Sequence, residues 1–582
     1  FLLGKKTRPR SDNILRIMAP LRMLKRVSRF PSRNDSYFDN YSYEALSEAS
    51  GSSGKSLIES IKSQWHRPSG DNATLEKNLL LYGEEVPPRC NAGDYLAILK
   101  HTIDEIRPTE KIIPLTLGAS RLHPNTTRTT SPGFPWVNQG YATKGDVYDD
   151  ASAVGKIHMA WDMIGRGIAW QLPDSMAFHR VVASPQTKKK VRPVWGLPCE
   201  VILEESRYFH PLFSELKVIA NERDAFYGIG METYLSGHSH LARNFDTSTI
   251  KYNMSGDFSN FDARVPAWLI RDVFAHISSW FDFSRVKDSE GKVWNVKTAQ
   301  TCRRWKSMIS YFINTKIRTP SGLRFQKSQG VPSGSIWTNL IDTICNAVMT
   351  RVALRRLSSL PEKDYYYGDD SSVFLREPID LDAFAVILKD TFGAVLSTDK
   401  TMVTDNPENI HWLGYYHRTT GPRRSLDFIV ASSLFPDREI TSPLQSAARL
   451  LGQLYSVMDP VQSVVFYDAI RYLQRKYLFN NQMLEVHFKY TNAKVFKYLS
   501  TLGISKDEVT VPSIGNDPFG DRFILNLLPK PSARNFFRRR DHNLPRYAFV
   551  AEAYQNRELR SPRFHNFNLY IETFSWYNEF SE

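Results

Sequence analysis

Long apolar runs are missing from this chain: nowhere in its 582 residues is there a stretch of about eighteen apolar side chains, the length a helix needs to cross a hydrocarbon layer. The opening residues also lack the apolar core of a secretory signal. The expectation is a chain with no membrane anchor. Cysteine is scarce as well. Cys90, Cys199, Cys302 and Cys345 are scattered with no C-x-x-C pair, which supports neither a zinc site nor a disulfide framework and reads as reduced, packed thiols of an intracellular protein. No repeat of fixed period recurs, so a solenoid is not indicated. Acidic residues fall short of basic ones, 61 against 75, giving a net charge of +14 and a pI near 9.3. Such a surplus favours a polyanionic partner, and it suits a passive nucleic-acid-coating protein as well as an enzyme. With 42% hydrophobic residues, the chain can bury large cores and more than one subdomain.

What the chain does contain is Asp364-Tyr365-Tyr366-Tyr367-Gly368-Asp369-Asp370-Ser371-Ser372-Val373-Phe374-Leu375. Aromatic and β-branched residues flank a Gly-Asp-Asp centre, which predicts two short strands joined by a tight turn, with Gly368 supplying the positive φ. Two adjacent carboxylates at one tip repel each other and raise each other's pKa unless a divalent cation sits there. A second acidic stretch, Lys251 to Asp262, alternates like a strand up to Asp257, turns, and reaches Asp262 five positions later. Beyond Pro266, residues Leu269, Ile270, Val273, Phe274, Ile277, Trp280 and Phe281 recur at helical spacing, with the proline placed for a first turn. Carboxylates from both stretches, brought together, would suit two hard cations and phosphoryl or nucleotidyl transfer.

A third stretch, Ser328 to Asn346, is a glycine-rich loop running into a helix. Trp337, Leu340, Ile341, Ile344, Val348 and Val352 give the helix a buried face and leave Thr338 and Asp342 one turn apart on another side. Small residues let such a loop approach a sugar or a backbone closely. Asp-x4-Asp at Asp257 and Asp262, Ser-Gly-x3-Thr at Ser333, Gly334 and Thr338, and Tyr-Gly-Asp-Asp at Tyr367 to Asp370 resemble, in that order, motifs A, B and C of viral RNA-dependent RNA polymerases. The wording Gly-Asp-Phe-Ser-Asn-Phe-Asp and Gly-Val-Pro-Ser-Gly-Ser is most similar to polymerases of the partitivirus and picobirnavirus type, from double-stranded RNA viruses. The resemblance runs from about Thr129 to Arg418.

Further stretches take meaning from that resemblance. Thr129 to Trp136 contains Pro-Gly-Phe-Pro, which forces an irregular, exposed loop; it is similar to motif G, which lies along the entering template, and so implies RNA contacts at Ser131 and Gly133. Lys188, Lys189, Lys190 and Arg192 put four cations within five residues. Alone they read as a short nuclear-import signal or a solvated turn. As motif F, Lys190 and Arg192 would clamp the incoming triphosphate, with Lys188 and Gly334 touching RNA. Leu381, Phe384, Leu388 and Phe392 mark a helix ended by Gly393, followed by a strand from Ala394 to Ser397. Lys400 then matches motif D, whose lysine is thought to protonate the departing pyrophosphate, and Trp412 to Arg418 looks like motif E. Helices from Ser442 onward would form the thumb. Phe1 to Arg33 is a basic arm, either a solvated tail or a contact to RNA or capsid. Ser36 to Ser56, rich in Ser, Gly and Tyr, reads as a linker or surface-hugging segment. Arg534, Arg538, Arg539 and Arg540 lie among aromatics at the far end, a mixture suited to RNA.

The fold so implied is α+β: a right-hand polymerase of fingers, palm and thumb, with an antiparallel palm sheet backed by helices. Its expected divisions are 1–75, a basic N-terminal arm and linker; 76–249, fingers with part of the palm; 250–425, palm with a fingers insertion near 283–327; and 426–582, thumb and C-terminal segment. The implied reaction is template-directed transfer of nucleotides from rNTPs. Asp257, Asp369 and Asp370 would hold two Mg²⁺ or Mn²⁺ ions, Lys400 would act as general acid, and Asp262, Ser333, Thr338 and Asp342 would read the ribose. Picornavirus-type relatives carry Asn where this chain has Asp342, and an ionised aspartate only accepts hydrogen bonds, so the wiring here must differ. Expected partners are template and product RNA, rNTPs and a viral capsid protein, in the virion interior or host cytoplasm, with no membrane. A reverse transcriptase, or a non-catalytic capsid-associated RNA-binding protein, are the alternatives.

Overall fold

A four-stranded antiparallel sheet organises the molecule, in the order Lys363–Tyr367, Asp370–Leu375, Tyr252–Gly256, Met402–Thr404. The structure, a computed structural model, describes residues 20–32, 35–187, 191–229, 241–246, 249–418, 421–456 and 460–491. Residues 1–19, Lys188 to Lys190 and 492–582, including the arginines at 534 and 538–540, lie outside them.

Alternation along the sheet buries both faces, as a period of two requires. Tyr366, Val373 and Leu375 join one large core, while Tyr365 and Phe374 point the other way into a smaller cluster with Ile250, Ile410 and Trp412. Gly93–Glu105, Ala267–Ser278, Thr338–Arg356 and Leu381–Phe392 are helices of the large core, joined there by Cys199–Glu222 and Thr298–Ile313. Pro266 sits at the N-cap of the second, and Gly393 ends the fourth at φ 74°. The helix Thr338–Arg356 departs from expectation. Every residue from Leu340 to Leu354 is buried, so the polar side expected to carry Thr338 and Asp342 is not a solvent face. The helix is wrapped by the sheet, the loop before it and the other helices.

A second sheet of five strands runs Leu21–Met23, Arg324–Lys327, Lys316–Arg318, Ser175–Val181, Val191–Gly196, with its one parallel pairing between Ser175–Val181 and Lys316–Arg318. Its last strand carries Arg192. The helix Cys199–Glu222 follows directly.

Three expectations are corrected. Residues 1–75 are not simply an arm and linker, because Leu21–Met23 is an edge strand paired with Arg324–Lys327, and Asn40–Ala49 and Gly51–Gln64 are helices. Ala45, Leu46, Ile58 and Ile61 of those helices pack with Leu450, Leu454, Ile470 and Leu473 from Pro443–Ser456 and Pro460–Tyr477. The Ser- and Gly-rich composition hid an apolar pattern that only needed a partner. Ala394 to Ser397 is no strand; only Leu396 makes a bridge, to Phe258. The Pro-Gly-Phe-Pro loop is irregular but not exposed. Phe134 and Trp136 are buried, and Trp136 Nε1 donates to Glu200 Oε2 at 2.6 Å.

Charge locks the sheet to its helices at the end away from the turn. Arg351 donates to both oxygens of Asp364, at 2.7 and 2.8 Å, and to Glu105 at 2.6 Å and Thr102 at 3.0 Å. These groups sit on one long helix, one strand and a second helix. Removing the cation leaves buried acceptors and a carboxylate unpaired. Arg351→Met is therefore expected to lower stability by about 3–5 kcal/mol, read as a shift of the urea midpoint; an unchanged midpoint would show that the node is dispensable.

Candidate active site

The acidic turn is built as the sequence implies and then pinned from below. Gly368 has φ 66° and begins a two-residue turn between Tyr367 and Asp370. Gly368 N donates to Thr343 Oγ1 at 2.8 Å, and Asn346 Nδ2 donates to the carbonyls of Gly368 at 3.1 Å and Asp369 at 2.9 Å. The long helix thus fixes the backbone of the turn and leaves the carboxylates of Asp369 and Asp370 free to face outward. Sequence reasoning missed Thr343 and Asn346. Their signal was their placement one helical turn beyond Asn339 and Asp342 in the Ser-Gly-x3-Thr helix.

Sheet register brings the third acid to this turn. Ser371 pairs with Gly256 at the end of the antiparallel ladder, so Asp257, one residue beyond, comes close enough to Asp370 for the two carboxylates to repel. A side chain at Gly256 would collide with Ser371 Oγ at 2.7 Å, and that hydroxyl instead accepts from Gly256 N at 3.2 Å. Thr401 Oγ1 accepts from Asp257 N at 3.3 Å, and the Asp257 carbonyl accepts from Ser397 N at 2.8 Å. Lys400 Nζ lies 3.8 Å from Asp257 Oδ2, both side chains about half exposed.

Electrostatics at the tip are unfavourable without a counter-charge. Enclosure by the cleft walls, then repulsion from Asp369 and Asp257, push the Asp370 carboxyl up to about 7, with Arg192 pulling the other way. Its side chain is nevertheless solvent-reachable, so the repulsion is the part that counts. Among the described residues no three His, Cys, Asp or Glu side chains form a ready-made metal cage.

Behind the tip a cleft is lined by Tyr82, Arg192, Asp262, Ser333 and Asp369. It unites candidates from four separate sequence stretches. Burial, then the charge of Asp369, raise Asp262 to about 6, opposed by Arg192 and by a hydrogen bond with Asp342. Burial and the facing Asp262 push Asp342 well above the usual carboxylate range, and its Oδ1 has no hydrogen-bond partner. Burial and the facing carboxylates thus favour the protonated form at this pair, most strongly at Asp342.

The remaining candidates divide. Ser333 Oγ accepts from Trp195 N at 3.1 Å, and Thr338 Oγ1 donates to the Pro332 carbonyl at 2.8 Å. Gly334 meets backbone rather than ligand, since a Cβ there would lie 1.8 Å from the Trp195 carbonyl oxygen. Gly133, at φ 73°, packs on Leu197 and Pro198, and Ser131 Oγ accepts from Gly133 N at 3.3 Å. Gly133 thus packs just past the C-terminal end of the Arg192 strand. Lys188 and Lys190 lie outside the described residues.

Two acidic stretches on an antiparallel sheet, a cation on a second sheet and a glycine-rich loop before a buried helix thus converge on one cleft. The family model for viral RNA-dependent RNA polymerase matches residues 97–427, more than half of the chain, and the chain belongs to that family. It is 27% identical over 313 residues to the RNA-directed RNA polymerase of Atkinsonella hypoxylon virus (isolate 2H), covering 47% of this chain and 46% of that protein. It is 25% identical over 325 residues to the RNA-directed RNA polymerase of Cryptosporidium parvum virus 1 (strain KSU-1), covering 51% of this chain and 57% of that one. The chain thus spans about half the length of these relatives. A shorter match, 24% over 245 residues, links 41% of it to 9% of the genome polyprotein of Human klassevirus 1.

The raised Asp370 predicts a pH signature with a definite sign. An acid whose pKa rises from 3.8 to about 7 on folding stabilises the native state fully below the lower value and loses that contribution as pH climbs through the upper one. In EDTA, the melting temperature of the parent relative to Asp370→Asn should therefore fall between about pH 4 and 7. Added Mg²⁺, which favours the ionised form, should stabilise the parent more at pH 8 than at pH 5. A Mg²⁺ response independent of pH would remove Asp370 as an ion ligand.

Proposed function

We propose that this chain is an RNA-directed RNA polymerase that copies a viral, double-stranded RNA genome from rNTPs. The observation that carries the reading is the register of Ser371 against Gly256, which sets Asp257 beside Asp369 and Asp370 at the mouth of a cleft that also holds Arg192, Asp262 and Ser333. In this reading the four-stranded sheet and its helices are the palm. The five-stranded sheet, which adds Leu21–Met23 and the strands Lys316–Arg318 and Arg324–Lys327 of the expected insertion to Ser175–Val181 and Val191–Gly196, belongs with the helix Cys199–Glu222 to the fingers, and the helices from Leu426 onward to the thumb. The surplus of cations, +14 overall, suits template and product RNA. Packaging with capsid protein belongs to the same reading.

Asp257, Asp369 and Asp370 are the residues that would hold two divalent cations, Mg²⁺ or Mn²⁺. When bound, such ions lower the pKa of an attacking hydroxyl and stabilise a departing pyrophosphate. The protein's own groups do the rest. Arg192 offers a planar fork to phosphate oxygens. Lys400 holds the proton that the leaving pyrophosphate takes up. Asp262 accepts from the ribose 2′-hydroxyl, while Asp342, kept neutral, donates to Asp262 and so orients it. Base pairing with the template, not side-chain contact, selects the base.

Incorporation of labelled rNTP on an RNA template with Mg²⁺ tests this directly. Asp369→Ala should lose about 10²–10³-fold in rate while keeping RNA affinity. Incorporation by neither protein, with RNA still bound, would identify a passive binder, and preference for dNTPs a reverse transcriptase. Asp262→Ala should reduce rNTP over dNTP discrimination by about tenfold or more; unchanged discrimination would free Asp262 of that role.

A further inference from the structure

The turn that carries Ser333 has an anchor that no motif includes. Glu205 lies in the helix Cys199–Glu222 and is fully buried. Its Oε1 accepts from Ser335 Oγ at 2.8 Å and its Oε2 from Ile336 N at 3.1 Å, while Ser335 Oγ in turn accepts from Trp337 N at 3.1 Å. Among the described residues no basic side chain pairs with it. Burial pushes its carboxyl up to about 8, and the two donors pull the other way. A buried acid without a counter-ion is costly, and such groups collect where a geometry is being held for function.

The rest of the turn is held on the opposite side by different groups. Lys327, also fully buried, donates from Nζ to the Gly330 carbonyl at 2.8 Å, and Tyr82 OH donates to the Val331 carbonyl at 3.1 Å. Val331 N donates to the Asp262 carbonyl at 2.7 Å. The upstream end therefore moves with Asp262. The downstream end, Ser335–Trp337, is tied to the helix that continues from the Arg192 strand. Ser333 lies between the two ties. The acidic tip is held separately, through Thr343 and Asn346.

Resting on the polymerase reading above, we propose that Glu205 is a positioning residue for ribose recognition: by clasping Ser335 and Ile336 it sets Ser333 against Asp262, so that the sugar is read by a turn coupled to the phosphate-binding strand. It touches no substrate. Release of the clasp disturbs the groups facing the 2′-hydroxyl and leaves the acids at the hairpin in place.

The test compares kcat/KM for rNTPs and for dNTPs in the parent, Glu205→Leu, Glu205→Gln, Ser335→Ala and the Glu205→Leu/Ser335→Ala double variant. Glu205→Leu and Ser335→Ala should each lower the rNTP value by about tenfold, the scale of one lost charged hydrogen bond, with the dNTP value unchanged. Glutamine, which can accept from Ile336 N–H and donate to Ser335 Oγ, should restore most of the difference. The double variant should fall no further than the worse single one. Equal losses for rNTPs and dNTPs, or a glutamine variant as poor as leucine, would reduce Glu205 to a core residue and overturn the proposal. If Glu205→Leu does not fold, Ser335→Ala alone decides between these outcomes. A parent that incorporates no nucleotide overturns the polymerase reading first, and the proposal with it; an active parent with unaltered selectivity in the variants overturns the proposal alone.

Discussion

Three carboxylates crowd one end of a sheet, and their mutual repulsion is the constraint that the surrounding structure answers. Asp257 is carried by one strand and Asp369 and Asp370 by the turn of the neighbouring hairpin, so their approach is enforced by backbone hydrogen bonds and not by any attraction between the side chains. Burial and this repulsion together raise Asp370 and Asp262. A fold tolerates such charges only where the rest of the molecule over-determines their positions and a cation relieves them.

Over-determination comes from the helix Thr338–Arg356. One end receives the glycine-rich turn, its middle grips the acidic turn through Thr343 and Asn346, and its far end fastens the same strand through Arg351 and Asp364. Because it is buried on all sides along Leu340–Leu354, it cannot shift without moving the sheet, the loop and three other helices together. Rigid placement of reactive groups by a packed scaffold is how positioning lowers a barrier in nucleotidyl transfer.

The facing sheet supplies charge of the opposite sign. Arg192 sits on its last strand, and the helix that follows carries Glu205 back to the glycine-rich turn. Arg192 and the turn carrying Ser333 are thus joined by one continuous strand and helix, while the acidic tip is held by another helix. The apolar helices between Asn40 and Gln64 lie elsewhere, completing a core with Leu450, Leu454 and Leu473.

Much of the site was legible before any coordinates. Local chemistry sufficed for the Gly368 turn, the strand ending before Asp257, the helix after Pro266 and the Gly393 stop, because each depends on backbone preference and short-range periodicity alone. Composition misled where polar residues carried an apolar stripe, as in Ser36 to Ser56, and where proline and glycine suggested exposure, as in the loop holding Phe134 and Trp136. Residues far apart in the chain decided the rest. The pairing of Ser371 with Gly256, the facing of Asp262 and Asp342, and the clasp of Glu205 on Ser335 all depend on long-range contacts and on burial, which no stretch of sequence expresses by itself. The sequence determined which groups could hold metal, phosphate and sugar; the tertiary structure decided which of them face one cleft, since register and desolvation exist only once the chain has closed on itself.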